Sequence, residues 1–165
     1  MVLTLHEQIV GSWKLVSYRL VPRGIGEVIF PLGAEPLGFI LYTQDGYMSA
    51  QLMRPDRPNF VSGDWREGTF GEYREQVSGY LAYSGPYDVD EATQTLHHSM
   101  VVSLFPNWVG QIQPRVARIV GDQLSLSTDK PIPLGGEMYS AHLMWQRAPR
   151  RSSPLQADTD ILSER

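Results

Sequence analysis

The stretch GFILYTQDGYMSAQLM, residues 38–53, decides the fold class. Two runs of aromatic and aliphatic residues, 38–42 and 47–53, flank the sequence TQDG at 43–46. An Asp-Gly pair between two such runs is typical of a tight turn, because glycine adopts the backbone angles that the turn needs. The segment therefore predicts a β-hairpin, in which strands that follow each other in the chain pair antiparallel.

Similar short runs recur on both sides of this hairpin, and glycines and prolines separate them. Further strands are predicted at 13–21, 27–30, 83–89, 93–105, 115–120, 123–128 and 138–147. With the hairpin this makes about nine short strands at nearly regular spacing, a pattern typical of an antiparallel barrel or sandwich. The sequence thus predicts an all-β protein.

One stretch, 54–79, interrupts this rhythm. It contains Pro55 and Pro58 and then Phe70, Tyr73 and Val77, which recur at the spacing of one helix face. We therefore expect a loop and then a helix from about residue 69 to 81 that buries these three side chains. Such an insertion covers one end of the barrel or forms a lid over a ligand cavity, and the pattern is compatible with both.

Composition and charge exclude several classes of function. The chain has 165 residues, which suits one domain, and it contains no cysteine, which excludes disulfides, thiolate nucleophiles and thiolate-bound metals. With 14 basic and 18 acidic residues the net charge is −4, so nothing attracts nucleic acid or an anionic membrane. No apolar run approaches the ~18 residues of a membrane helix. We expect a cytoplasmic protein that binds neither partner.

No motif points to a cofactor. The sequence lacks the Gly-x-Ser-x-Gly, Walker and Gly-x-Gly-x-x-Gly patterns. His97 and His98 are adjacent, so on a strand they point to opposite faces and cannot share a metal ion. We therefore expect neither a metal nor a nucleotide cofactor.

Five segments of the chain resemble a known family. They are GSWKLVSY (11–18), PLGAEPLGFILYTQDGYMSAQLMRPDRP (31–58), GYLAYSGPYDVD (79–90), HHSMVVSLFPNWVG (97–110) and LSLST (124–128). They are similar to the lipocalin-like family of small single-domain proteins of bacteria and fungi. The resemblance implies a single antiparallel, calycin-type β-barrel around an internal cavity over residues 9–147, to which the residue pattern of 54–79 adds a short helix-containing insertion. It also implies that Trp13 closes the barrel base and that Arg147 packs across it. The polar residues 148–165 are predicted to form a disordered tail.

His98 is the first candidate for chemistry. In 95–104 the even positions are the apolar ones, so alternation turns His98 into the barrel and His97 toward solvent. Burial disfavours the charged imidazole, so His98 is expected to be neutral and available as an acid or base. The alternative is a structural histidine bonded to a serine or tyrosine. Tyr83 and Tyr87 lie on the apolar face of 81–89, where either one can meet His98.

The remaining candidates depend on which face of a strand points inward. Arg115 and Arg118 lie on opposite faces of one strand, and the one that enters the barrel can bind a carboxylate or enolate oxygen. If Trp13 points inward, Arg19 does too; in 47–52 either the odd or the even positions face the cavity. The predicted catalytic residues are His98, Tyr83 and Arg115, and the predicted ligand-binding residues are Arg19, Tyr47, Gln51, Tyr87, Met100 and Trp108.

Together these features predict a cofactor-independent isomerase, cyclase or hydrolase. It would act by acid–base catalysis on a small hydrophobic intermediate of polyketide or terpenoid type, because some barrels of similar sequence have such roles in natural-product pathways. The alternatives are a non-catalytic carrier of a small apolar ligand and a filled barrel with a structural role. A homodimer through exposed barrel strands stays open.

Overall fold

The computed structural model describes residues 3–150. Its helices are α1 (Leu5–Ile9), α2 (Phe70–Ser78) and a short 3₁₀ turn (Pro106–Trp108). Its strands are β1 (Gly11–Pro22), β2 (Leu37–Tyr42), β3 (Tyr47–Met53), β4 (Tyr80–Asp90), β5 (Thr95–Ser99), β6 (Val102–Ser103), β7 (Ile112–Val120), β8 (Gln123–Thr128), β9 (Ile132–Leu134) and β10 (Glu137–Arg147). Residues 151–165 of the predicted tail lie outside the described residues. Among the described residues, no helix has the length and apolar character needed to cross a membrane.

The strands form one closed antiparallel barrel. The hydrogen-bonded order is β1-β2-β3-β4-β5-β7-β8-β10, and β10 pairs back onto β1, which closes a barrel of eight strands. The short strands β6 and β9 add to β4 and β10. This confirms the predicted all-β, lipocalin-like barrel. The stretch 27–30, predicted as a strand, forms only a single bridge between Leu20 and Ile29.

The two ends of the barrel differ in their connections. At the closed end the strands are joined by short turns, 43–46, 91–94 and 121–122. The helix α1 directly precedes the start of β1 at the same end. The longer connections, 23–36, 54–79, 100–111 and 129–136, all lie at the other end, which we call the open end. The buried side chains form one hydrophobic cluster to which most of the strands contribute.

Trp13 and Arg147 close the barrel base. Trp13 is fully buried, and its indole Nε1 donates a hydrogen bond of 2.8 Å to the carbonyl oxygen of Ile9. The Arg147 guanidinium carbon lies 4.0 Å from the indole centroid, within the range of a cation–π contact. Its two terminal nitrogens donate to the carbonyl oxygens of Val10 (3.3 Å) and Gln8 (2.7 Å). The predicted contact at the barrel base is therefore present.

A bulge in β1 changes which residues face inward. The pairing of β1 with β10 shifts between Leu15 and Ser17. Because a bulge inserts one residue, alternation is displaced by one position beyond it. Trp13 and Leu15 are buried before the bulge, whereas Leu20 is buried after it and Arg19 is exposed. The prediction that Arg19 faces the cavity is therefore wrong.

A second irregularity divides the strand predicted at 93–105. Tyr87 pairs with His98, whereas Tyr83 pairs with Ser103, so the register slips by one residue between β5 and β6. Gly85 lies at the slip, and a Cβ there would lie 1.9 Å from the carbonyl oxygen of Ser99. The inward alternation of the even residues consequently ends at Met100, which is fully buried.

The helix of the insertion begins where the sequence predicts but ends earlier. The Thr69 hydroxyl and the Glu72 carboxylate each accept a hydrogen bond from the other residue's backbone N–H, which forms a capping box. The helix ends at Ser78 instead of 81, because Tyr80 already begins β4.

The predicted burial of the helix face is wrong. Phe70 and Val77 are 83% and 61% exposed, and Tyr73 packs only against Phe60. Instead, a polar contact holds α2 to the start of the insertion, where Arg54 is paired to Glu75 at 2.8 Å. Polar anchoring of this kind leaves the apolar face of α2 in solvent.

Replacement of Trp13 by alanine is expected to lower the free energy of unfolding by about 3–5 kcal/mol, since it empties a fully buried site. Guanidinium denaturation followed by circular dichroism measures this. The control is Trp65→Ala in the insertion, where the side chain is 75% exposed and the change should stay below about 0.5 kcal/mol. Equal effects of the two substitutions would show that the base contact does not stabilise the barrel.

Gly85→Ala is expected to destabilise the protein by about 1–3 kcal/mol or more, because the new methyl group collides with the backbone of Ser99. Gly71→Ala in α2 is the matched control. The nearest atom to its added Cβ is the Thr69 hydroxyl oxygen at 4.0 Å, and alanine favours helix by up to about 1 kcal/mol. Thermal unfolding of both variants compares them, and a Gly85→Ala protein as stable as the wild type would contradict the close approach.

Candidate ligand-binding site

The open end of the barrel contains a cavity of about 320 Å³, which we call the mouth pocket. Its lining comes from several strands and two connections: Tyr18, Leu81, Tyr83, Trp108, Gln111, Ile112, Gln113, Pro114, Arg115, Thr128, Asp129, Lys130, Pro131, Ile132, Ala141 and Leu143. The volume lies at the low end of the range found for ligand sites. The pocket therefore suits a small molecule.

Aromatic rings form one wall of the mouth pocket. The rings of Tyr83 and Trp108 meet edge to face, with centroids 5.8 Å apart. Phe105 packs against the other side of Trp108 at 5.7 Å, which fixes the indole in the 3₁₀ turn. The sequence predicts that Trp108 walls the cavity mouth or anchors its loop, and in the structure it does both. Its contact with a ligand stays a prediction.

Three polar groups converge on the same cavity. Tyr18, Tyr83 and Arg115 all line it, although they come from β1, β4 and β7. Burial raises the pKa of both phenols, which therefore keep their protons, and the nearby positive charge of Arg115 only partly opposes this. The hydroxyl groups are thus available as hydrogen-bond donors to a ligand.

Arg115 is the arginine of β7 that enters the barrel, whereas Arg118 is exposed on the outer face. Its guanidinium donates hydrogen bonds of 2.8 Å to the carbonyl oxygen of Pro114 and 2.6 Å to the Gln113 side-chain oxygen. Both acceptors are neutral groups of the same strand. These hydrogen bonds hold the guanidinium in place. Because neither acceptor is charged, neither one neutralises the positive charge of Arg115.

His98 lies inside the barrel, as alternation predicts, but it does not line the mouth pocket. Its Nε2 shares a hydrogen bond of 2.9 Å with the hydroxyl of Tyr42. Burial, and secondarily the positive charge of Arg115, lower the pKa of His98 to about 3. The imidazole is therefore neutral at physiological pH. Its partner is Tyr42, which the sequence analysis missed, instead of Tyr83 or Tyr87.

Two other predicted ligand contacts lie in the core. Tyr87 is buried toward the closed end, where its hydroxyl donates to the carbonyl oxygen of Thr43 at 3.0 Å. Met100 is fully buried. Neither residue lines the mouth pocket, because the side chains around them fill the barrel at their level.

Three further predicted contacts lie on the outer surface. Tyr47 and Gln51 are exposed because Met48 and Leu52, the apolar alternates of β3, occupy the inner face. Gln51 accepts a hydrogen bond from the hydroxyl of Tyr80 on that outer face. Arg19 is exposed because of the bulge in β1. The structure thus corrects an inward direction for all three, and none of them lines the mouth pocket; contact with a ligand stays a prediction.

Tyr18 and the segment 128–132 line the pocket although they are not among the residues predicted from the sequence. Tyr18 faces the pocket only because of the bulge, which no residue pattern in 11–22 announces. The segment 128–132 follows β8 as a connection, and only the closure of the barrel brings it over the cavity. The insertion 54–79 contributes no residue to the pocket lining, so the structure does not show it as a lid over this cavity.

Within residues 3–150, no three histidine, aspartate or glutamate side chains come close enough together to hold a metal ion. The mouth pocket offers aromatic rings, hydroxyl groups and the inward guanidinium of Arg115, and Asp129 and Lys130 also line it. These groups can enclose a flat apolar molecule and donate hydrogen bonds to its oxygen atoms.

Comparison with known proteins agrees with this architecture. A family model described as a lipocalin-like domain matches residues 10–148. A protein of Aspergillus oryzae (strain ATCC 42149 / RIB 40), named 4'-hydroxy-3'-methoxypropiophenone carrier protein ppsC, is 38% identical over 109 residues. The match covers 62% of this chain and 98% of that protein. The name of that relative describes a carrier of one aromatic ketone.

The buried imidazole of His98 makes stability depend on pH. Its pKa falls from an ordinary 6.5 to about 3 on folding. Between these values the unfolded chain binds a proton that the folded protein does not, so the free energy of unfolding rises with pH up to about 6.5 and then levels off. The contribution is up to about 1.4 kcal/mol per pH unit. Urea unfolding between pH 4 and 7 measures it.

The control compares His98→Gln with His97→Gln, the outward neighbour. Glutamine can still bond to the hydroxyl of Tyr42 but takes up no proton, so His98→Gln should flatten the pH dependence and His97→Gln should retain it. An unchanged slope in His98→Gln would place the proton uptake on another group.

Proposed function

Because the chain belongs to the lipocalin-like domain family, we propose that it is a carrier that holds a small aromatic molecule in the mouth pocket. The observation that carries this proposal is the cavity of about 320 Å³ at the open end, walled by the rings of Tyr83 and Trp108. A flat ring can pack against both aromatic side chains and against Leu81 and Leu143 below them. The open end gives this ligand a route in and out.

The similar Aspergillus protein supports an aromatic ligand with oxygen substituents. Its name assigns it a propiophenone with one hydroxyl and one methoxy group, and the chain matches nearly the whole of that protein. Both the aromatic wall and the polar groups Tyr18, Tyr83 and Arg115 suit such a molecule. We propose a phenolic ketone, or a molecule of that size and polarity, as the ligand.

Aromatic burial alone supports only weak binding. A ring that buries about 150 Å² contributes about 4 kcal/mol at about 25 cal/mol per Å². That free energy corresponds to a Kd of about 1 mM before the loss of rotational and translational freedom is counted. A carrier that works at lower ligand concentrations therefore needs the polar groups of the pocket as well.

Acid–base catalysis is supported less well than binding. A general acid or base acts best when its pKa lies near the working pH, whereas burial holds the pKa of His98 at about 3. The imidazole is also bonded to Tyr42 and lies outside the pocket lining. An isomerase, cyclase or hydrolase that uses His98 stays a prediction, and the carrier is the function that the geometry favours.

Binding of 4'-hydroxy-3'-methoxypropiophenone is expected to be saturable with one molecule per chain, measured by calorimetry and by quenching of tryptophan fluorescence. Trp108→Ala should weaken binding about tenfold or more, because the ring wall is lost. The matched control is Trp65→Ala, which removes an exposed tryptophan outside the pocket and should leave the affinity unchanged.

Absence of saturable binding, or equal affinity of the Trp108→Ala and wild-type proteins, would contradict the carrier proposal. Chromatography of the ligand after incubation separates the carrier from the enzyme. A carrier returns the compound unchanged, whereas conversion that is lost in His98→Gln would support catalysis instead.

A further inference from the structure

The mouth pocket contains one positive group that an apolar ligand does not need. Arg115 is partly buried, and its two side-chain hydrogen bonds go to the carbonyl oxygen of Pro114 and the amide oxygen of Gln113. Within residues 3–150, the ion pairs formed by arginines join Arg54 to Asp56 and Glu75 and join Arg147 to Asp122. Arg115 thus has no carboxylate partner among the described residues. A partly buried charge without one is unfavourable unless something else neutralises it.

The charges around the pocket leave it net positive. Arg115 and Lys130 line it against the single carboxylate of Asp129, so two cations face one anion. Asp129 forms no ion pair within 4.0 Å with either of them in the part of the chain that the structure describes. A ligand with one negative charge would balance the pocket.

The titratable groups inside the barrel on which the charge of Arg115 acts are all neutral. On β2 and β5 these are Tyr42 and His98, whose pKa values are shifted away from the charged forms by burial. On β1 and β4 they are the phenols Tyr18 and Tyr83, which keep their protons. On β8 the paired residue is Thr128, whose hydroxyl accepts a hydrogen bond from the backbone N–H of Ala141.

Two hydroxyl groups beside Arg115 are also unused. Neither the Tyr18 nor the Tyr83 hydroxyl forms a hydrogen bond to another described residue, although both side chains line the pocket. A guanidinium offers five N–H donors, of which the neutral acceptors of β7 occupy only part. The pocket therefore combines an aromatic wall with several donors that form no hydrogen bond to another described residue.

We propose that the mouth pocket is a receptor for the anionic oxygen of an aromatic ligand, a phenolate or a carboxylate, with Arg115 as its counter-ion. Tyr18 and Tyr83 donate the neutral hydrogen bonds, and the ring packs against Trp108. This inference rests on the proposed function, namely that the pocket holds a small aromatic molecule. It adds the charge state in which that molecule is bound.

The chemistry of phenolic ketones fits this receptor. A carbonyl group para to the hydroxyl delocalises the phenolate charge, so such a phenol ionises more easily than tyrosine does. A guanidinium within contact distance favours the ionised form further and lowers the pKa of the bound phenol. The released proton goes to bulk water. Binding is therefore expected to become tighter as the pH rises toward the pKa of the free ligand.

The test is a pH titration of the absorbance of the bound phenolic ketone, because the phenolate absorbs at longer wavelength than the phenol. In the wild type the pKa of the bound ligand should lie about one to two pH units below that of the free ligand. Arg115→Gln should abolish this difference and Arg115→Lys should keep part of it. The matched control, Arg118→Gln on the outer face of the same strand, should leave it intact.

A second pair of probes, benzoate and benzamide, tests the charge without a phenol. The wild type should prefer benzoate, and Arg115→Gln should bind benzoate about 10- to 100-fold more weakly while its affinity for benzamide changes little. Circular dichroism and thermal unfolding of each variant establish that it is folded. The methyl ether of the phenolic ketone cannot ionise, so it is the neutral ligand with which binding of the ketone is compared.

The outcomes separate this inference from the carrier function. The first outcome is that the phenolic ketone and its methyl ether bind equally, the pKa of the bound ketone is unshifted and benzoate is not preferred. This outcome overturns the proposal of an anion receptor and leaves the carrier proposal intact. Binding of benzoate through Arg115 without binding of the ketone supports the receptor and overturns the phenolic ketone as ligand. Binding of none of these probes overturns both.

Discussion

The pairing of β1 with β10, sealed at the base by Arg147 on Trp13, is the contact on which the rest of the structure depends. Closure of the barrel removes the two edges that the sheet would otherwise expose. It also gives the molecule two unlike ends. The base is filled by the indole, by the arginine stem and by α1, whose first two backbone N–H groups are held by the carboxylate of Glu91 at 2.8 Å. All of the longer connections are consequently at the opposite end, where the pocket lies.

The interior above this base is divided into two regions of different chemistry. The lower region contains the pair Tyr42 and His98, whose hydrogen bond lets both remain neutral where a charge would be poorly solvated. The upper region opens to solvent, and there the guanidinium of Arg115 shares the cavity with the phenols of Tyr18 and Tyr83. Desolvation thus keeps the imidazole of His98 neutral at its position below the mouth pocket. The polar groups that line the mouth pocket gather at the boundary with water.

Two departures from regular pairing shape the pocket. The bulge in β1 turns Tyr18 inward and Arg19 outward, and the slip beside Gly85 ends the inward face of β5 at Met100. Beyond that slip the chain leaves the barrel wall and forms the turn that contains Trp108. Without these irregularities, strict alternation would bring a different set of side chains to the open end.

The sequence by itself determined the fold class, the hairpin at 38–53, the start of α2 at Thr69, the base contact of Trp13 with Arg147 and the inward direction of His98. Each of these follows from local turn chemistry, from alternation within one uninterrupted strand or from the family resemblance. Only the tertiary structure decided that Tyr18 and not Arg19 lines the cavity, and that Tyr42 is the partner of His98. It also decided that Tyr47 and Gln51 face outward and that α2 leaves Phe70 in solvent. The reason is that bulges, register slips and contacts between distant strands depend on how the whole sheet closes, and a local pattern of residues does not encode that closure.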